Sequence, residues 1–169
     1  MSKITATEVK ELRDITGAGF MDCKKALEEA DGNQESAINF LNEKGLASAA
    51  KKANRSTSEG LIVSYIHTGG RVGAMVELNC ETDFVARTED FESLGKNIAM
   101  QVAAMDPKYL DLESAEASKE KVDSNIILLE QEYIRDSAMK ISDLIKESIG
   151  KLGENIKISR FSRFELGTE

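Results

Sequence analysis

The chain has 169 residues, of which 41% are apolar and 31% charged, and 22 Lys and Arg against 30 Asp and Glu give a formal charge of −8. This composition is that of a globular protein with one ordinary domain or two small ones. An acidic chain is a poor general binder of nucleic acid, because phosphate neutralisation needs clustered Lys and Arg, and no apolar run reaches the ~20 residues that span a bilayer. The first residues, Met1-Ser2-Lys3-Ile4-Thr5, have neither the apolar stretch of a signal peptide nor the Arg and Ser of a transit peptide. The expectation is a protein that works where it is made, in a cytoplasm or in the stroma or matrix of an organelle that encodes it.

Residues 1–46 read as three short helices. Thr5-Ala6-Thr7-Glu8 has capping-box spacing, and Val9, Leu12 and Ile15 or Thr16 follow it on one helical stripe. Gly17-Ala18-Gly19 ends that helix, since Gly accepts the positive φ of a C-terminal cap. A second helix is expected from Met21 to Ala30, with Cys23, Ala26, Leu27 and Ala30 inward. After the turn Asp31-Gly32-Asn33 a third is expected from Gln34 to Lys44, with Gly45 as its end. Residues 47–59, rich in Ala, Ser, Lys and Asn, read as a linker or a frayed helix. Nine basic and nine acidic residues precede Ser56, so the whole −8 belongs to the second unit.

Residues 60–169 open with a hairpin. Leu61–His67 is β-branched and aromatic, Thr68-Gly69-Gly70-Arg71 is the turn, and Val72, Ala74, Val76, Leu78 and Cys80 alternate with polar or small neighbours. Phe91, Leu94, Ile98, Val102 and Met105 space a long helix closed by Asp106-Pro107. The polar stretch 106–123 suggests no element. Residues 126–134 and 141–152 read as two further helices. A last strand holds Ile156, Ile158, Phe161, Phe164 and Leu166, and its change of apolar phase implies a bulge near Arg160. The expected class is α+β, an antiparallel sheet with helices on one face.

Few residues offer chemistry. Cys23 and Cys80 are the only cysteines and His67 is the only histidine. They suggest two small buried thiols and a hairpin-end side chain, with no zinc site. There is no GxxxxGK[ST] and no GxGxxG, so no nucleotide cradle is recognisable. Glu28-Glu29 and Glu113/Glu116 lack a His, Lys or metal partner at useful spacing, which weighs against a hydrolase. Neither a cofactor nor a covalent reaction is expected.

One segment fits neither neighbouring periodicity. After Cys80 comes Glu81-Thr82-Asp83-Phe84-Val85-Ala86-Arg87, then the long helix. Thr82 or Asp83 can cap a short turn. Spacing alone favours Phe84 in its own core, the usual fate of a lone Phe. However, Asn79-Cys80-Glu81-Thr82-Asp83-Phe84-Val85-Ala86 resembles the signature loop of the translation elongation factor Ts family. So do Val9-Lys10-Glu11-Leu12-Arg13 with Thr16-Gly17-Ala18-Gly19, Met21-Asp22-Cys23-Lys24-Lys25-Ala26-Leu27, and Gly153-Glu154-Asn155-Ile156 with Arg160-Phe161. These blocks stand at the start, middle and end of the chain.

The resemblance implies a guanine-nucleotide exchange factor for the GTPase EF-Tu, with an N-terminal UBA-like module and a core dimerisation domain. It implies that Thr82, Asp83, Phe84 and Val85 form a wedge, with the Phe entering a pocket between two GTPase helices beside the Mg²⁺ site and Asp83 at the same helices. It implies that Lys10, Arg13 and Met21 face the nucleotide domain. Phe20 stands where many relatives have Met, which leaves its contact open. The chain resembles the short form of the family, whose missing half a second copy would supply, so a C₂ homodimer is expected. Two other readings stay open. One is a UBA-type interaction adaptor without exchange activity, docking through Gly17-Ala18-Gly19-Phe20-Met21. The other is an RNA-associated factor using Lys51, Lys52 and Arg55, against which the acidic balance weighs.

Overall fold

A computed structural model of the chain describes residues 4–117 and 123–168. Met1–Lys3, used above in the leader argument, and 118–122 of the polar stretch lie outside the described residues.

Helix α1 spans Ala6–Thr16, α2 Phe20–Glu29 and α3 Gln34–Lys52. The capping box forms as expected: Thr5 N–H donates to Glu8 Oε2 at 2.7 Å, and Glu8 N–H donates to Thr5 Oγ1 at 3.3 Å. The Thr5 hydroxyl also donates to Glu8 Oε2 at 2.7 Å, and the bonds from the Thr5 N–H and hydroxyl hold the Glu8 carboxyl below its usual range. Gly17, at φ 65°, closes α1. Val9, Leu12, Cys23, Ala26, Leu27, Ala37 and Leu41 make one small core. Both cysteines are buried free thiols.

The third helix corrects the expectation at Gly45, which does not end it. It runs on to Lys52, through residues assigned above to the linker. A glycine inside a helix costs about 1 kcal/mol relative to Ala. Tertiary packing offsets that cost, because α3 lies against helix α7 (Ile141–Leu152) and the backbones meet at Gly45 and Gly150. A Cβ on Gly150 would sit 2.8 Å from Gly45 Cα. Ala49, beyond Gly45, is buried in the larger core.

That larger core lies under a three-stranded antiparallel sheet of order β1-β2-β5, with β1 at Glu59–Ile66, β2 at Val72–Cys80 and β5 at Lys157–Glu165. The alternation along β2 is as expected: Ala74, Val76, Leu78 and Cys80 are all buried. Leu78 pairs with Ile158 and Glu77 with Arg160, so Ser159 is an extra residue, and the bulge lies beside Arg160. Helix α5 (Glu89–Met105), capped by Thr88, covers the inner face with Phe91, Leu94, Ile98 and Val102. The outer face carries Ile62, Ile66, Met75 and Phe164, all exposed. The architecture is α+β.

Two other segments differ from expectation. A short helix α6 (Leu112–Ala117) lies within the stretch read as irregular. Residues 126–134, read as a helix, instead form two 3₁₀ turns (Ser124–Ile126 and Leu128–Glu130) and strand β3 (Glu132–Tyr133), paired with β4 (Asp136–Lys140). Buried glutamines explain this. Gln101 donates to Gln131 Oε1 at 3.2 Å and to the Glu132 carbonyl at 3.0 Å, and accepts from Ile134 N–H at 3.0 Å. Gln131 donates to the Asn125 carbonyl at 2.7 Å. Side chains thus supply partners that a helix would have supplied along its axis.

The Gly45–Gly150 contact has a direct test. Gly150→Leu forces α3 and α7 apart and should lower unfolding stability by about 1–3 kcal/mol, as overpacking does. Urea unfolding followed by circular dichroism reads the loss.

Candidate functional site

Beyond Cys80 the chain leaves the sheet. Glu59 pairs with Cys80 on one side and Lys157 with Asn79 on the other, so residues 81 and 82 have no strand partner. Thr82 is extended (φ −129°, ψ 154°), and a four-residue turn, α4 (Asp83–Ala86), follows at once. Thr82 caps it, its Oγ1 accepting from Val85 N–H at 3.4 Å. Thr88 Oγ1 then caps α5, so the two caps set the turn's ends.

This geometry decides the fate of the ring. Ala86 is buried against the core and Val85 is half-buried against it, while Phe84 is 81% exposed. A large apolar side chain so exposed at the tip of a capped turn does not serve its own core. Asp83 is half-buried and paired with Arg87 at 2.9 Å, an exposed (i, i+4) pair that a partner can replace at little cost.

The backbone beneath the ring is held from the far end of the chain. Glu154, in the turn after α7, accepts from Glu81 N–H at 3.1 Å and Thr82 N–H at 3.0 Å through Oε2, and from the Thr82 hydroxyl at 2.5 Å through Oε1. Asn155 N–H donates to Glu81 Oε1 at 2.7 Å. The Asn155 side chain donates to the carbonyls of Arg55 (2.8 Å) and Ala53 (3.3 Å), just past α3. Arg55 lies 3.5 Å from Glu81. The Cys80 thiol donates to the Thr82 carbonyl at 3.1 Å. Burial, and then the nearby Glu154 charge, push that thiol up to about 11.

Lys10, Arg13 and Met21 stand on α1 and α2 and are exposed. Ile15 and Phe20 are exposed with Met21, which gives this end of the smaller cluster an apolar surface. The four loop residues are thus brought together on one turn, while these three stand on the outside of helices packed around the smaller core. Sequence reading singled out Glu154 and Asn155 only as a turn and as part of a resemblance. Their contact with residues some seventy positions earlier leaves no signal in local spacing.

The remaining candidates are unremarkable. His67 Nδ1 lies 3.0 Å from Tyr65 Oη at the hairpin end. Glu28, Glu29, Glu113 and Glu116 are exposed. Lys52 bonds Ser48 at 2.5 Å. Among the described residues, no group of three or more His, Cys, Asp or Glu side chains is placed to hold a metal ion. No helix among them is long and apolar enough to cross a membrane.

The sequence family described as Elongation factor TS matches residues 2–124. Proteins named Elongation factor Ts match nearly the whole chain. That of Thermoanaerobacter sp. (strain X514) is 50% identical over 194 residues, covering 97% of this chain and 95% of its own. That of Caldanaerobacter subterraneus subsp. tengcongensis is 51% identical, covering 97% of each. That of Oleidesulfovibrio alaskensis is 48% identical, covering 99% of this chain and all of its own. The chain belongs to the elongation factor Ts family. Membership implies guanine-nucleotide exchange on EF-Tu in translation elongation. The alignment with the Thermoanaerobacter protein spans 194 positions against 169 residues here, so at least 25 of them (194 − 169) have no counterpart in this chain.

The raised Cys80 thiol gives a pH prediction. A folded-state pKa above the ordinary 9.0 favours the neutral thiol in the native protein. Its contribution to stability is therefore complete below pH 9 and is lost as pH rises through about 11. The stability difference between the wild type and Cys80→Ala should shrink over that interval, read by urea unfolding at stepped pH.

Proposed function

We propose that the chain promotes GDP release from EF-Tu by inserting Phe84 between two helices of the GTPase beside its Mg²⁺ site. Thr82 and Val85 shape the turn, and Asp83 exchanges its Arg87 pairing for contacts on the same helices. The single observation that carries this reading is the 81% exposure of Phe84 on a capped and anchored turn. In a UBA-like N-terminal module, Lys10, Arg13 and Met21 lie against the nucleotide domain. No bond is made or broken by the factor.

The energetics assign shares. Exchange follows if the factor binds the nucleotide-free GTPase better than the GDP-bound one, and each factor by which it weakens GDP is the factor by which GDP weakens it. A shift of ~10⁴ needs about 5.5 kcal/mol of differential binding. Burying one Phe contributes about 1.5–3 kcal/mol. Phe84 therefore supplies a large part of the effect but not all, and Asp83 and the N-terminal module supply the rest. The factor lowers the barrier for GDP and GTP alike, and nucleotide concentrations set the direction.

The second copy belongs to the same proposal. Ile62, Ile66, Met75, Phe164 and Leu166 are exposed on or beside the outer face of the sheet. An apolar area of this kind marks an interaction surface. Two such faces stacked about a two-fold axis would form the dimer.

Phe84→Ala should slow release of a fluorescent GDP analogue from EF-Tu by about 10- to 150-fold, the equivalent of one buried Phe. Release should remain above the unassisted rate, and unfolding stability should stay within about 0.5 kcal/mol of the wild type, as for an exposed site. Exchange at the wild-type rate contradicts the reading. Met75→Glu with Phe164→Glu should convert a dimer to a monomer in sedimentation velocity. A wild type that is monomeric at micromolar concentration and fully active contradicts the dimer.

A further inference from the structure

We propose that Glu154 is a positioning residue for nucleotide exchange: its carboxylate fixes the Phe84 turn in the shape the GTPase receives. The inference rests on the reading of Phe84 given above and adds a residue to it.

The amides of Glu81 and Thr82 emerge where the sheet has ended on both sides. Glu154 Oε2 accepts both, at 3.1 and 3.0 Å. No strand supplies those two half-buried donors with another partner, and leaving such donors unpaired is costly. The third bond acts on the turn itself. A hydroxyl has one proton. The Thr82 hydroxyl gives its proton to Glu154 Oε1 at 2.5 Å, which leaves an oxygen lone pair for Val85 N–H at 3.4 Å. Glu154 thereby orients the cap that starts α4. A four-residue helical turn does not persist by itself, because nucleation is unfavourable and a single turn barely propagates. The conformation that presents Phe84 depends on such outside bonds.

The anchor is itself fixed. Gly153, at φ 79°, ends α7 and turns the chain so that residues 154 and 155 reach the loop. Asn155, only 1% exposed, ties that turn to the carbonyls of Ala53 and Arg55 and, through its N–H, to Glu81. One turn at the C-terminal end of α7 therefore holds both the Phe84 loop and the end of α3. The consequence for binding is preorganisation: a partner that meets an ordered turn does not have to order it.

The test is the rate of GDP release from EF-Tu against factor concentration, with amide hydrogen–deuterium exchange on the free factor. Glu154→Ala should raise the half-saturating concentration about ten- to hundredfold, the loss expected when hydrogen bonds to a charged acceptor are removed. The rate at saturation should fall far less, because a docked ring makes the same contacts. Deuterium uptake at residues 83–86 should rise, while α5 and β2 stay protected. Glu154→Gln keeps a carbonyl oxygen for the two amides and an NH₂ for Thr82 Oγ1, and should restore most of the effect. Thr82→Val, which keeps the two amide bonds but removes the cap, should fall between the two. Half-saturation within twofold of the wild type for Glu154→Ala overturns the proposal. So does unchanged deuterium uptake at 83–86, or equal losses for Ala and Gln. Uptake at 83–86 decides the positioning without the GTPase. If Phe84→Ala leaves nucleotide release unchanged while Glu154→Ala raises that uptake, the wedge reading fails and the anchoring of the turn stands.

Discussion

Two backbone amides that leave a sheet without partners set the terms for the rest of this structure. At Glu81 and Thr82 the ladder has ended on both sides of β2, and the chain cannot bury those donors unpaired. A carboxylate from position 154 takes both and also the Thr82 hydroxyl. With the backbone fixed there, one helical turn forms at once. Its inward side chain, Ala86, seals the core, and its outward one, Phe84, is left in water. The exposed ring is thus the product of a satisfied backbone beneath it.

The turn after α7 ties the loop to the end of α3, the helix that carries residues of both packed clusters. Asn155 bonds carbonyls at the end of α3 while its neighbour bonds the loop. Helices α3 and α7 touch backbone to backbone at Gly45 and Gly150. Lys151 pairs with Asp90 at 2.8 Å, linking α7 to the start of α5. A body built this way can meet a partner at two places with little reordering, and binding energy saved from reordering is available to oppose nucleotide. On the proposed reading, this is how a protein with no recognised nucleotide cradle of its own acts on a nucleotide held by another.

Much of this was legible in the residues. Strict alternation from Val72 to Cys80, the Thr5–Glu8 spacing and the stripe from Phe91 to Val102 each report one local period, and each element formed where that period ran. The misses share a different cause. Gly45 reads as a stop until α7 is known to lie against it. Residues 126–134 read as helix until two buried glutamines replace the axial partners. Spacing alone put Phe84 in its own core, because no local period distinguishes a ring that turns inward from one held outward. Family resemblance pointed outward, and the exposure agrees with it. Glu154 had no local signature, since its role exists only once residues 81–82 are folded beside it.

The most direct measurement follows the ring itself. With fluorophenylalanine in place of the six phenylalanines, and Phe84→Leu to assign the signal, fluorine resonance can report solvent contact at position 84. The account predicts a solvent-exposed ring in the free protein, a shifted and solvent-protected ring on addition of nucleotide-free EF-Tu, and return toward the free signal when GDP is added. A complex that forms while that ring stays in water contradicts it.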